Sequence, residues 1–177
     1  FMTQAWTPIY LTYADTIQAE VAEEINAPPG MTYQLENFVR NYIASHVALH
    51  AGSALGQLRQ VLREAVLNRQ DEVQAIQERL DEWKEKRPDK IAMVETVQFA
   101  NALAREIYKS NGVRKLKWVN FEPSCPYCRY LGGKVVGIES VFIPAGMDFQ
   151  PEEAERPLRP TTNIQHPPAH MGCCLLY

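Results

Sequence analysis

Cysteine is missing from the first 124 residues of this 177-residue chain, and neither glycine nor proline occurs between Gly56 and Pro88. The first absence excludes a disulfide framework over most of the chain, and the second leaves about thirty residues with nothing to interrupt a helix. No apolar run approaches the roughly 20 residues of a membrane span, and no charged segment followed by an apolar one opens the chain. The expectation is a soluble, cytoplasmic protein with no membrane partner. Positive charge is not in excess either, since 18 Lys and Arg stand against 21 Asp and Glu for a net charge of −3. Binding of nucleic acid by overall electrostatics is therefore excluded, and any such contact has to be local. With 46% hydrophobic residues the chain is rich enough for one sizeable core, or for a core plus a small appendage.

What is present is unevenly placed. Eight of the 12 prolines lie at or after Pro123, and all four cysteines at or after Cys125. Before residue 113 the pattern is helical. Ala14 to Ile25 reads as one helix, ended by "NAPPG", where Pro28 and Pro29 cannot continue it. A second helix begins at Leu35 and carries Phe38, Val39, Tyr42, Ile43, Val47, Leu55, Leu58, Val61, Leu62 and Val66 near the 3.6-residue period. Gly52 and Gly56, four apart, weaken that helix or let another element approach it. His46 and His50 share its face at i,i+4 and could bind a metal, but with no carboxylate or third histidine nearby in sequence they read as ordinary helix histidines. The segment 71–90 interleaves seven acidic and five basic residues around a narrow seam of Val73, Ile76, Leu80 and Trp83, as in a solvated helix or one arm of a hairpin. Pro88 suits a first helical position, the next helix runs from about Asp89 to Lys109, and Gly112 supplies its stop.

Beyond Gly112 the period changes. "VRKLKWV" and "GGKVVGI" read as short strands on either side of "SCPYCRYL". The last 40 residues, with six prolines, read as an ordered loop, and a loop of that length needs something to pin it. Cys125 and Cys128 are separated by two residues, and His170 and Cys173 repeat that gap. Two such pairs are the arithmetic of a closed tetrahedral Zn²⁺ site, in which each short pair places two ligands on one side of the ion. Cys174 and His166 are alternates. Structural zinc supplies on the order of 10–16 kcal/mol of apparent folding free energy, which a proline-rich tail with little apolar surface needs. Three readings compete: a redox CxxC, which wants its first cysteine at a helix N-terminus, disulfides, and a cysteine nucleophile with His170 as base.

Arg87, Ile91, Ala92, Glu95, Thr96, Asn101, Gly112, Trp118, Cys125, Pro126, Cys128, Leu131, Gly133, His170 and Cys173 form an ordered series over about half the chain. This series resembles the phage head morphogenesis family, the Mu F-like minor capsid proteins. Met93-Val94 stand where the family has Arg-Thr, and "HMGCC" stands for its closing "HPNCRC". The resemblance implies a virion protein inside the head at the portal vertex, present in the host cytoplasm during assembly. It implies portal subunits as partners, and a connection with DNA packaging or delivery. Glu95 would cap or pair near its helix start, and Asn101 would satisfy backbone groups of the zinc knuckle.

The expectation is thus an α+β, mainly helical chain. Residues 1–86 form a helical arm for docking on the portal, on other capsid proteins or on further copies of itself, and residues 87–177 a Mu F-like region stapled by zinc. Lys109, Arg114, Lys115 and Lys117 offer a local contact for phage DNA or an acidic portal surface, with a solvated strand as the plain reading. Lys109 also suits the helix C-terminus. The alternative function is a zinc-stabilised nucleic-acid-binding module. Four filled metal positions leave no place for a reacting water, so an enzyme is not expected.

Overall fold

Helices dominate the described part of the chain, and the one paired sheet there has two strands. The computed structural model describes residues 2–121 and 123–170. In chain order it has α1 (Met2–Glu24), α2 (Tyr33–Leu67), α3 (Glu72–Lys86), α4 (Pro88–Ser110), β1 (Lys115–Lys117), α5 (Pro126–Leu131) and β2 (Val135–Gly137). The expected mainly helical α+β class is what is found. Among the described residues no helix is long and apolar enough to cross a membrane. The chain divides into two compact units, Phe1–Tyr13 with Thr32–Ala92, and Ala14–Met31 with Met93–Tyr177.

In the first unit α2 packs against α3. Thr32 caps α2 by accepting a bond from the Leu35 amide, and Asp71 caps α3 by accepting one from the Gln74 amide. Ala54, Leu58 and Val61 are half-buried and Ala65 fully buried, a spacing of four, three and four that makes one stripe on α2. The matching stripe on α3 is Ile76, Leu80 and Trp83, all half-buried, and α3 has no fully buried residue. Arg87 closes the hairpin, lying 3.5 Å over the Trp83 ring and donating to Gln57 Oε1 at 2.6 Å. Between α1 and α2 runs an aromatic ladder, with Trp6 5.1 Å from His46 and Tyr10 6.1 Å from Tyr42. The helix expected from Ala14 begins at Met2, so Pro8 lies inside α1.

The second unit buries Phe99, Leu103 and Ile107 of α4, together with Ile17 and Val21 of α1. Tyr108 donates to Glu24 Oε2 at 2.6 Å. Gly112, at φ +78°, ends α4 with the Val113 amide bonding back to Tyr108 O. β1 and β2 pair antiparallel, with Leu116 opposite Val136. The ladder extends through Trp118 N to Lys134 O and Gly133 N to Trp118 O, so α5 is held between the strands. Trp118, Cys128, Leu131, Phe142, Ile143, Phe149, Ile164 and Ala169 form one core cluster. The long proline-rich segment folds back on itself through isolated bridges, Ile143 with Ile164 and Phe149 with Leu158. As far as residue 170 it is an ordered loop, as expected, and the rest of the expected loop lies outside the described residues.

Gly132 follows α5 because nothing larger fits. A Cβ built there meets the Asn120 side-chain oxygen and the Arg129 carbonyl, and Asn120 is committed to a bond to Ser124 Oγ. Gly132→Ala is expected to destabilise the second unit by about 1–3 kcal/mol, since overpacking is joined by a lost hydrogen bond. Chemical denaturation followed by circular dichroism checks this, and an unshifted midpoint would contradict it.

Candidate metal centre

Cys125 is the N-cap of α5: its sulfur accepts from the Cys128 amide at 3.5 Å, and its carbonyl accepts from Arg129 N at 2.9 Å. Pro126 takes the first helical position, where its missing N–H costs nothing. The CxxC, read from the sequence as lying between two short strands, therefore sits on a short helix. This corrects one premise of the reading against a redox pair, since the first cysteine does stand at a helix N-terminus, though between two antiparallel strands and without a βαβ unit. Among the described residues no disulfide joins Cys125 to Cys128.

His170 Nε2 lies 3.3 Å from Cys125 Sγ across 45 residues of chain. Two ligands of one tetrahedral Zn²⁺, sulfur at about 2.3 Å and nitrogen at about 2.0–2.1 Å, stand about 3.6 Å apart. The pair fits that spacing. Cys128 is buried one helical turn from Cys125, but among the described residues the donor atoms of Cys125, Cys128 and His170 do not gather within 4.8 Å of one another. Cys173 and Cys174 lie outside the described residues.

The surroundings hold these groups in place. Tyr127 presents an edge to the His170 ring at 5.2 Å and is itself anchored by donation to the Arg156 carbonyl at 2.6 Å. Arg129 bonds to the Ser124 carbonyl at 3.0 Å and pairs with Glu153. Such second-layer contacts orient ligands and tune their basicity. Tyr127 and Glu153 carried no signal in the sequence, because partners this remote share no spacing rule.

His166 shares the lining of one cavity with Cys128 and of another with His170. It lines a cavity of about 260 Å³ beside Asn101, Arg105, Trp118 and Pro168, and its Nδ1 is 2.7 Å from the Pro167 carbonyl. Burial lowers its pKa. Asn101, expected to serve the knuckle backbone, bonds instead to the Val97 carbonyl of its own helix at 2.9 Å. The amide was free to satisfy an α4 carbonyl directly, which a family pattern does not reveal. Trp118 is core, as expected.

The four basic residues divide. Lys109 pairs with Glu139 at 2.8 Å, and that bond raises its pKa. Arg114, Lys115 and Lys117 are exposed and have no acidic partner among the described residues.

His46 is buried, with the His50 ring 4.2 Å away. Burial pushes the His46 pKa down from 6.5 to about 4, and the neighbouring His50 adds to the effect. A depressed histidine pKa means that the neutral form stabilises the fold. That contribution is complete above about pH 6.5 and is lost as pH falls toward 4. The melting temperature of the first unit is expected to fall over this window, with the dependence flattened by His46→Phe. An equal slope in the variant would sink the assignment.

No protein-family model, no curated protein and no solved structure matches the chain.

Proposed function

We propose that this chain is a minor capsid protein of a phage head, acting at the portal vertex in head assembly and in DNA packaging or delivery. Its C-terminal region is held by a structural Zn²⁺ on Cys125, Cys128, His170 and Cys173. The observation that supports the reading is the approach of His170 to Cys125 at 3.3 Å, which brings one residue from each of two separate motifs of the resembling series side by side. Trp118, Leu131 and Cys128 of that series also meet in one core cluster. Bound zinc supplies folding free energy here, because four protein ligands leave no open coordination position. The residues around it serve to hold Cys125 and His170 in register. The helical arm of residues 1–86 is the part that docks on the portal. Mixed in equal amounts with the cognate portal oligomer, the chain is expected to co-elute with it in size exclusion, with or without DNA. Unchanged elution would count heavily against the portal assignment.

A second reading, a zinc-stabilised nucleic-acid-binding module, is favoured by one observation, the exposure of Arg114, Lys115 and Lys117 without acidic partners among the described residues. Three phosphate contacts would give a salt slope of about −2.7 in log affinity against log salt. Affinity for duplex DNA that ignores both salt and Lys115→Gln would remove this reading.

A further inference from the structure

The helical arm shows a second stripe on α2, one residue around the helix from the stripe that meets α3. Ala48, Gly52, Leu55, Arg59, Leu62 and Val66 recur at spacings of four, three, four, three and four, and all six are exposed. Leu55 is 50% exposed, Leu62 40% and Val66 60%, an unusual concentration of large apolar side chains on one exposed helix face. A Cβ built on Gly52 meets nothing within 4 Å, so the small end of the stripe is open.

The stripe is complementary to itself. Ala48 and Val66 are equidistant from position 57, as are Gly52 and Leu62, and Leu55 and Arg59. Turned end for end about that point, the small residues of one helix therefore face the large residues of another. The heptad spacing is that of a coiled-coil seam, and the symmetry is that of an isologous two-fold contact. Charge agrees with the same operation. Among the described residues Arg59 and Arg63 on α2 have no acidic partner, and Glu85 on α3 has no basic one. The bond from Arg87 to Gln57 places the end of α3 at the level of the two-fold point. Glu85 of one copy then lies about one helical turn along the axis from Arg59 of the other.

We propose that α2 is the seam of an antiparallel, two-fold dimer of this chain, in which Leu62 and Val66 of each copy seat on Gly52 and Ala48 of the other. The proposal names the partner of the helical arm and stands on the α2–α3 hairpin alone. It needs neither zinc nor portal. A single helix pair buries less than the roughly 1,600 Å² of a standard interface, so the dimer is weak and exchanges quickly.

Sedimentation of the full chain alone tests it, and the failure of the portal reading would leave this result untouched. Mass is expected to rise from monomer to dimer as concentration reaches about 100 µM, and Leu62→Glu is expected to hold it at monomer with unchanged far-ultraviolet dichroism. Register is tested by mild oxidation. A mixture of Gly52→Cys chains with Leu62→Cys chains should give a mixed cross-linked dimer above the parent background, and neither variant alone should. A monomer at every concentration overturns the proposal, as does Leu62→Cys cross-linking to itself, which indicates a parallel pair. A monomeric chain whose portal co-elution is lost in Leu62→Glu assigns the stripe to the portal and also overturns it.

Discussion

Replacing Cys128 with serine is expected to abolish stoichiometric zinc and unfold the second unit while α2 and α3 stay folded. Cys128 is 5% exposed and belongs to the core cluster, so the change removes a proposed ligand and sets a hydroxyl among apolar side chains. The ligand loss dominates. Structural zinc contributes on the order of 10 kcal/mol or more to folding in small metal-bound units, against about 1–3 kcal/mol for an unsatisfied buried hydroxyl. The two causes separate experimentally, because a chelator added to the unaltered chain removes the metal and leaves the packing chemistry intact. Hydrogen exchange should show amides of Trp118, Gly133 and Ile164 losing protection in both cases, with those of α2 unchanged. Full zinc content in Cys128→Ser, or a chelator with no effect on exchange, would overturn the metal assignment.

Trp118→Ala should have the next largest effect, about 3–5 kcal/mol lost from the second unit. Trp118 is 1% exposed and meets the Phe142 ring edge to face at 5.0 Å. Its backbone also carries the ladder past α5, through bonds to Lys134 O and from Gly133 N. Truncation leaves those bonds and opens a void against Leu131 and Cys128, so the loss is one of packing. Denaturant unfolding of the zinc-loaded chain should show a lowered midpoint with the slope preserved. A shift below about 1 kcal/mol would mean that the cluster collapses around the gap.

Where local chemistry decides the structure, the sequence was readable. The apolar period from Leu55 to Val66, the charged surface of 71–90, Pro88 at a helix start and Gly112 at a helix end each act within one or two turns. The strands around the CxxC were readable from the change in period. α5 was not, because its cap is a cysteine rather than one of the usual Ser, Thr, Asp or Asn, and six residues are too few to show a helical stripe. The start of α1 was hidden by Pro8, which reads as a breaker. Inside the helix, the hydroxyls of Thr7 and Thr12 bond to carbonyls four residues back. The approach of Cys125 to His170 was legible only through ligand arithmetic. The supports from Tyr127, Arg129 and Glu153 were not, since they depend on how the loop folds back.

The grouping of Ala14–Met31 with Met93–Tyr177 has a consequence for how the chain folds. From the standpoint of the second unit, everything from Thr32 to Ala92 is one closed loop that happens to be a helical hairpin. The entropy of closing a loop grows only logarithmically with its length, so lengthening or shortening the hairpin changes that closure by well under about 1 kcal/mol. Cutting it is another matter, because Ile17 and Val21 would then have to find Phe99 and Leu103 as a separate molecule. During synthesis the same two residues leave the ribosome long before α4 exists. Their apolar face waits through the whole hairpin, and the second unit is assembled after it, around a segment that was made before it.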